Sequence, residues 1–355
     1  MKRIDERNTM FARMGWEKDG EAYQDFYERN PHLKEKDDYM RTLPHICGEG
    51  TMSYHPVHSR LADSVFRFLG DINHLAEGPV QSPGDVDVDP EVMTKRLKKL
   101  AKYYGAADVG IAKMQDHFWY SHRGRKEETY GDPIEGRHEY AIVFAVEMDE
   151  DMIDRAPQVE EVIEVTKGYL NAGIIGMVLS YFLREIGFEA RNHMDGNYLV
   201  VAPLVAQEAG LGQLGRMGIL NTRKFGPRVR LGVITTNLQL VADEPDDFGF
   251  TDFCAMCGMC IKTCPGKAIP ATAAFEQDGA KRWQIVQENC YERWRSLGTD
   301  CGVCLSVCPF SHHVDPQLVA AMKGNKEVMA EILKQHRETY GKRRYIRTPL
   351  HLIAD

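Results

Sequence analysis

The chain has 355 residues, 43% of them hydrophobic and 27% charged, and a formal net charge of −8. This length holds one large domain with a smaller one attached. The acidic balance argues against nucleic acid as a main partner, because phosphate binding needs a basic surface, and no uninterrupted apolar run reaches the length of a membrane span.

The opening residues, MKRIDERNTMFARMGWEKDG, carry neither an apolar h-region nor a twin arginine, so a cytoplasmic protein is expected. Residues 1–50 are rich in charge and aromatics without a clear period, and are expected to wrap over a core. Asp89 as N-cap and Pro90 at the first helical position predict a helix through EVMTKRLKKLAKYYG that stops at Gly105. DVGIAKM and YAIVFAVEM (Tyr140–Met148) read as buried strands. DHFWYSHRGR (Asp116–Arg125) offers Phe118, Trp119 and Tyr120 as a pocket wall or as core. A long helix is predicted over Pro157–Ile186, with Val162, Ile163, Tyr169, Leu170, Met177 and Phe182 among its apolar positions; Gly187 ends it. YLVVAPLVA reads as a strand and turn, and RVRLGVITTNLQL as a further strand. Helices alternating with strands predict an α+β (α/β-type) core.

Between those last two segments lies EAGLGQLGRMGIL, where Gly210, Gly212 and Gly215 match G-x-G-x-x-G. A dinucleotide fingerprint belongs at the end of a first strand, with an acidic residue about twenty positions on. Here the run comes late and the basic RKFGPRVR follows it. The reading is close backbone approach to a bulky cofactor, with Arg216 beside it; the other reading is a tight loop packed on the core.

Nine cysteines are present, eight of them between Cys254 and Cys308, with Cys47 alone. Such crowding favours metal over disulfides, and Cys47 reads as a buried thiol. Cys254, Cys257, Cys260 and Cys264 stand at C-x2-C-x2-C-x3-C before Pro265; a second run places Cys290, then Cys301, Cys304 and Cys308 before Pro309. In two-cluster ferredoxins the last cysteine of each run ligates the other cluster. The crossing rule assigns Cys254, Cys257, Cys260 and Cys308 to one [4Fe-4S] cluster, and Cys264, Cys290, Cys301 and Cys304 to the other. Two zinc sites are the alternative, against which both x3-C-P endings speak. The predicted division is a wrap and catalytic core over 1–245, a ferredoxin-like module over 246–315 and a helical extension over 316–355.

ERNTMFARM, EIGFEA, AGLGQLGRMG, FGPRVR, DDFGFTDFCAMCGMCIKTCP and NCYERWRSLGTDCGVCLSVCP together resemble the corrinoid-dependent reductive dehalogenases. The resemblance implies a nitroreductase-like cobalamin-binding core followed by two [4Fe-4S] clusters. It implies a base-off corrinoid with no protein histidine on cobalt, an organohalide substrate and a low-potential electron donor (ferredoxin, flavodoxin or a reductase). No D-x-H-x-x-G motif is present. The family's proton donor is a tyrosine on the helix before the LG-like turn; Tyr169 matches that placement, with Tyr181 as the fallback. The basic residue that stabilises its phenolate is assigned to Arg228, with Arg216 and Arg230 as alternatives. Where the family has asparagine or lysine past the turn, Asp195 stands here, with Asn192 and Asn197 as alternatives. An epoxyqueuosine reductase, acting on a modified tRNA, is the nearest rival; a corrinoid reductase or electron carrier without dehalogenase activity is another. CGVCLSVCPFS departs from the CDxCQxxCPWN run expected of the rival, and a carrier has no need of the long core.

Overall fold

The computed structural model describes residues 2–81, 86–277 and 280–348. Residues 349–355, the end of the expected C-terminal extension, lie outside the described residues. The aperiodic N-terminus folds into α1 (Glu21–Arg29) and α2 (Pro31–Thr42). Their inner faces close on a small aromatic core of Trp16, Tyr23, Phe26 and Tyr27. Arg13, almost fully buried, pairs with Asp37 at 2.6 Å and with Glu288 at 2.6 Å. A buried guanidinium needs such partners to offset its lost hydration. Because Glu288 lies two residues before Cys290, this wrap is strapped to the cysteine-bearing region.

Next come α3 (His58–Ile72) and α4 (Pro90–Tyr103), the latter capped by the Asp89 carboxylate, which accepts the Val92 N–H at 2.9 Å. Strands β1 (Asp108–Lys113) and β2 (Tyr140–Glu147) precede α5 (Val159–Glu185), β3 (Ala190–His193), α6 (Ala202–Glu208) and β4 (Val229–Thr236). The sheet order is β1-β2-β4-β3, antiparallel throughout, so the core is α+β. Period-two alternation sends Ile142, Phe144 and Val146 to the face covered by α4 and α5, and Ala141 and Val143 to the face covered by Phe118, Trp119 and α6. Burial on both faces explains the unbroken apolar run of β2.

By length and composition α5 could cross a membrane, yet 61% of its most apolar window is buried inside the protein. It is a core helix, drawn close to its neighbours by small residues: a Cβ at Gly176 would sit 2.0 Å from Asn192 Oδ1. YLVVAPLVA is not a strand and turn: a single bridge pairs Val200 with Trp119, and α6 begins at Ala202 with Pro203 in its first turn. β3 is a strand that the sequence reading did not anticipate.

The remainder builds a second core. α7 (Phe250–Cys257), α8 (Met259–Thr263), α9 (Gln287–Leu297), α10 (Val303–Ser306), α11 (Pro316–Ala321) and α12 (Lys326–Tyr340) follow in order. Phe248, Phe250, Phe253, Phe310, Ile332 and Leu333 pack around the first cysteine run. The long gap between Cys290 and Cys301 is α9, which the N-terminal wrap grips: Arg295 Nε donates to the Pro44 carbonyl at 2.7 Å.

Candidate functional site

Each cysteine run is bent by residues in the left-handed region. Gly258 (φ 62°) separates α7 from α8, so Cys254, Cys257 and Cys260 curl around one point. In the second run Cys301 itself (φ 71°) and Gly302 (φ 56°) make the reversal. The thiols are raised by burial and by one another, mostly within the crossed sets. Burial pushes Cys257 up to about 11 and Cys260 up to about 12, and the further upward push on Cys257, Cys260 and Cys308 comes from one another and from Cys254. Burial likewise pushes Cys290 and Cys301 up to about 11, with Cys264 adding to each. Cys304 is raised by burial and then by Cys290 and Cys301, with Cys260 of the other set and Cys264 following. Thiols so desolvated are inert alone; four converging sulfurs need a positively charged metal centre among them to be held as thiolates. Donors for sulfur are in place: Arg216 N–H to Cys254 Sγ at 3.2 Å, Ala268 N–H to Cys264 Sγ at 3.3 Å, and the Trp294 side chain to Cys290. The residues fit two iron–sulfur clusters, and Trp294 gives the tryptophan of the spacer a task. Cys47 is buried and apart from both sets.

The second centre lies where α5 meets β4. Even-numbered residues of β4 face α5, which carries Arg230 across the helix at Gly168. A Cβ at Gly168 would meet Arg230 Cγ at 2.5 Å, so only glycine leaves room for it. The Arg230 guanidinium carbon then sits 4.8 Å from the centroid of the Tyr169 ring. Tyr169 is partly accessible, and Phe66 of α3 lies 5.9 Å from it, ring to ring. Burial raises the Tyr169 phenol and Arg230 is the largest influence opposing that rise; Asp195 raises it further. Tyr198 shares the setting, raised well above the ordinary phenol value by burial, then by Tyr169 and Asp195. Behind Arg230, Asp300 approaches at 3.9 Å, and Glu161 faces Asp300. Glu161 is fully buried, its carboxyl held well above the usual carboxylate range by burial and then by Asp300. Asp300 precedes Cys301, so this polar chain links the tyrosine to the second cysteine set.

Several expectations are corrected. Arg228 does not reach Tyr169: its guanidinium donates to the Met148 and Ser311 carbonyls and lies 3.4 Å from Glu147, pinning the start of β4 to the cysteine module. Arg230, two residues on, takes the place beside the phenol. The glycine loop is explained by the protein itself. A Cβ at Gly210 would sit 2.6 Å from the Glu244 carbonyl, at Gly212 2.2 Å from the Asn221 carbonyl, and at Gly215 2.7 Å from Asn221 Nδ2. Arg216 donates to the Pro270 and Thr272 carbonyls and stacks 4.6 Å from the Trp283 ring. These contacts give the four residues a task in the tight loop and beside the first cysteine set. Asp195 is brought to the site, with Arg125 Nη1 3.8 Å from its carboxylate. Asn192 is spent on the Gly173 carbonyl and Asn197 on Arg191 and the Asn73 carbonyl. Tyr181 is 43% exposed under Arg184, over three turns along α5 from Tyr169. Phe118 and Trp119 are core on the far face of the sheet, and Arg125 is the residue of that stretch that faces the site. Sequence reasoning held Arg230 only as an alternative and missed Gly168, Tyr198, Glu161 and Asp300; the Gly168–Tyr169 pair in mid-helix and the parity of β4 were the available signals.

Residues 253–312 match the family model of the 4Fe-4S dicluster domain. A tetrachloroethene reductive dehalogenase of Sulfurospirillum multivorans is 34% identical over 257 residues, covering 63% of this chain and 51% of that protein. The chain is thus similar to reductive dehalogenases over about two thirds of its length. It spans about half the length of the curated relatives it matches. The fold agrees: the structure of a catabolic reductive dehalogenase in complex with 3-bromo-4-hydroxybenzoic acid aligns with a TM-score of 0.77 at 24% identity, over 97% of this chain and 47% of that one. An epoxyqueuosine reductase of Lactococcus garvieae is 27% identical over 129 residues, 35% of this chain and 36% of that protein. The dicluster match and this similarity imply two [4Fe-4S] clusters and a corrinoid. The cysteine sets fit the clusters. At the tyrosine, Arg230 Nε is buried without a hydrogen-bond partner beside the partly accessible Tyr169, which leaves a donor there for a further polar group.

Proposed function

We propose that this chain replaces halogen by hydrogen in an organohalide, with Tyr169 as proton donor and Arg230 as the cation that stabilises its phenolate. A low-valent corrinoid, when bound, supplies the electron pair that breaks the carbon–halogen bond, and two iron–sulfur clusters supply those electrons singly. Tyr169 and Arg230 are the residues that would face the corrinoid. The overall balance is one organohalide, two electrons and one proton in, and one C–H bond and one halide ion out. Tyr169 Oη gives the proton. A phenol is a weak acid, and Arg230 over its ring favours the phenolate formed as the proton leaves. Gly168 lets Arg230 lie there, Asp300 orients it, and Phe66 limits water at the ring. Arg125 and Asp195 flank the substrate side as an ion pair. Cys254, Cys257, Cys260 and Cys308 hold one cluster; Cys264, Cys290, Cys301 and Cys304 hold the other.

The single observation that carries this reading is the stacked Tyr169–Arg230 pair backed by the chain to Cys301. The domain reading follows it: a catalytic unit over 1–245, the cluster module over 246–315 and a packed extension after it. The partial match to the epoxyqueuosine reductase leaves the tRNA-modifying alternative with less support than the dehalogenase reading. The test is anaerobic reconstitution with corrinoid and a halide-release screen over chlorinated, brominated and fluorinated compounds. Halide release that Tyr169→Phe lowers by about 10²–10⁴-fold, at unchanged iron and corrinoid content, supports the assignment. Release undiminished in Tyr169→Phe removes Tyr169 from the reaction, and no release from any organohalide contradicts dehalogenation.

A further inference from the structure

A cleft of about 360 Å³ opens against the second cysteine set, lined by Pro157, Thr263, Pro265, Leu297 and Val303 together with Arg293, Lys342 and Arg343. Its wall residues adjoin the ligand cysteines: Thr263 and Pro265 flank Cys264, and Val303 lies between Cys301 and Cys304. Arg293 is on the same helix as Cys290, one turn away. The apolar lining therefore brings the molecular surface close to the sulfurs, and the rim is basic. Among the described residues neither Arg293 nor Lys342 forms an ion pair, and Arg293 Nε is buried without a hydrogen-bond partner. Arg343 is within electrostatic reach of Cys301. Lys262, next in sequence to Thr263, is exposed. A concentration of uncompensated cations is unusual on a chain of net charge −8, and it falls where electrons must cross the surface.

We propose that this cleft is the docking site of a small acidic one-electron carrier protein, which delivers electrons to the cluster held by Cys264, Cys290, Cys301 and Cys304. The inference rests on the redox reading of the cysteine module. In each encounter one electron leaves the reduced centre of the carrier and one cluster gains it; no bond is made or broken. The acidic face of the carrier meets Arg293, Lys342 and Arg343, so opposite charges steer the encounter against the repulsion of the chain's overall negative charge. The apolar floor brings the two redox centres close.

The test follows reduction of the iron–sulfur clusters by stopped-flow absorbance, with fully reduced flavodoxin as the acidic carrier and reduced methyl viologen, a small cation, as the control. No halogenated substrate is present, so failure of docking and failure of the dehalogenase assignment are read separately. Arg293→Glu combined with Lys342→Glu is expected to slow reduction by flavodoxin by about 10-fold or more at low ionic strength and to flatten its salt dependence. Reduction by methyl viologen is not slowed. Binding of oxidised flavodoxin, measured by calorimetry, weakens in parallel. Lys342→Glu alone, a surface change, gives the same result at smaller size and guards against a damaged fold in the double variant. The proposal is overturned if Lys342→Glu, at full iron content, is reduced by flavodoxin at the wild-type rate with wild-type salt dependence. It is equally overturned if the wild-type chain is reduced by flavodoxin no faster at low salt than at high salt.

Discussion

The cysteine module and the α5–β4 seam carry their chemistry by different means. In the module, residues 253–312, the function is local: ligand spacing, a left-handed turn and a proline recur within two short runs, and the fold only has to bring the runs together. At the seam no two functional residues are neighbours in sequence apart from Gly168 and Tyr169. Tyr169, Arg230 and Asp300 meet because a strand in a particular register crosses a helix at a glycine. A local site tolerates change elsewhere in the chain. A site built by crossing elements fails when the crossing shifts by a fraction of an ångström.

The largest expected effect breaks the local side of that contrast. Cys264→Ala and Cys308→Ala should each lower the iron content from about eight per chain to about four, because each removes a ligand from a different set. The distinct spectrum of the cluster that survives in each variant should show that the two variants have lost different clusters. Two identical spectra would contradict the crossing. On the other side, Gly168→Ala adds one methyl group and touches no cofactor. Its gain in helix propensity, about 1 kcal/mol, is set against an overpacking cost of about 1–3 kcal/mol, so the melting temperature should fall slightly. Halide release should fall by about 10- to 100-fold, since displacements near 1 Å cost that much at a reacting centre. Unchanged turnover would show that the Arg230 position is not needed.

A smaller effect concerns pH. The Tyr169 phenol is raised by burial, so its proton is retained past the ordinary phenol value of about 10. The contribution of Tyr169 to rate should be flat from neutral pH to about 10 and fall only above it. The sign for stability is the same: the folded state holds a neutral phenol that the unfolded chain would ionise, so stability is lost as pH rises above about 10. Asp195 adds to the rise. Asp195→Asn should move the alkaline fall to lower pH while changing the rate near neutrality only a few-fold, as a pH–rate profile would show.

Legibility in the sequence divides along the same line. All eight proposed cluster ligands, the capped helix at Asp89, the helix around Tyr169 and the buried β2 strand are written in local spacing and period. Arg230 was passed over for Arg228 because both are arginines two positions apart, and only the contacts of β4 tell which one turns toward α5 and which one pins Met148 and Ser311. The glycine loop left two readings open for a related reason. Glycine is demanded wherever a backbone is approached closely, and sequence does not say whether the approaching group is a cofactor or, as here, the carbonyls of Glu244 and Asn221. β3 escaped notice because three of its four residues, Arg191, Asn192 and His193, are polar and buried by their partners rather than by apolar character.

The most direct test of the account is halide release by Arg230→Met beside Arg228→Met, measured at equal iron and corrinoid content. The account predicts that Arg230→Met loses about 10²-fold or more in rate with its fold little changed. Arg228→Met should keep its rate per folded molecule while losing about 1–3 kcal/mol of stability through the unpaired carbonyls of Met148 and Ser311. Full activity in Arg230→Met, with the loss falling on Arg228→Met instead, would contradict it.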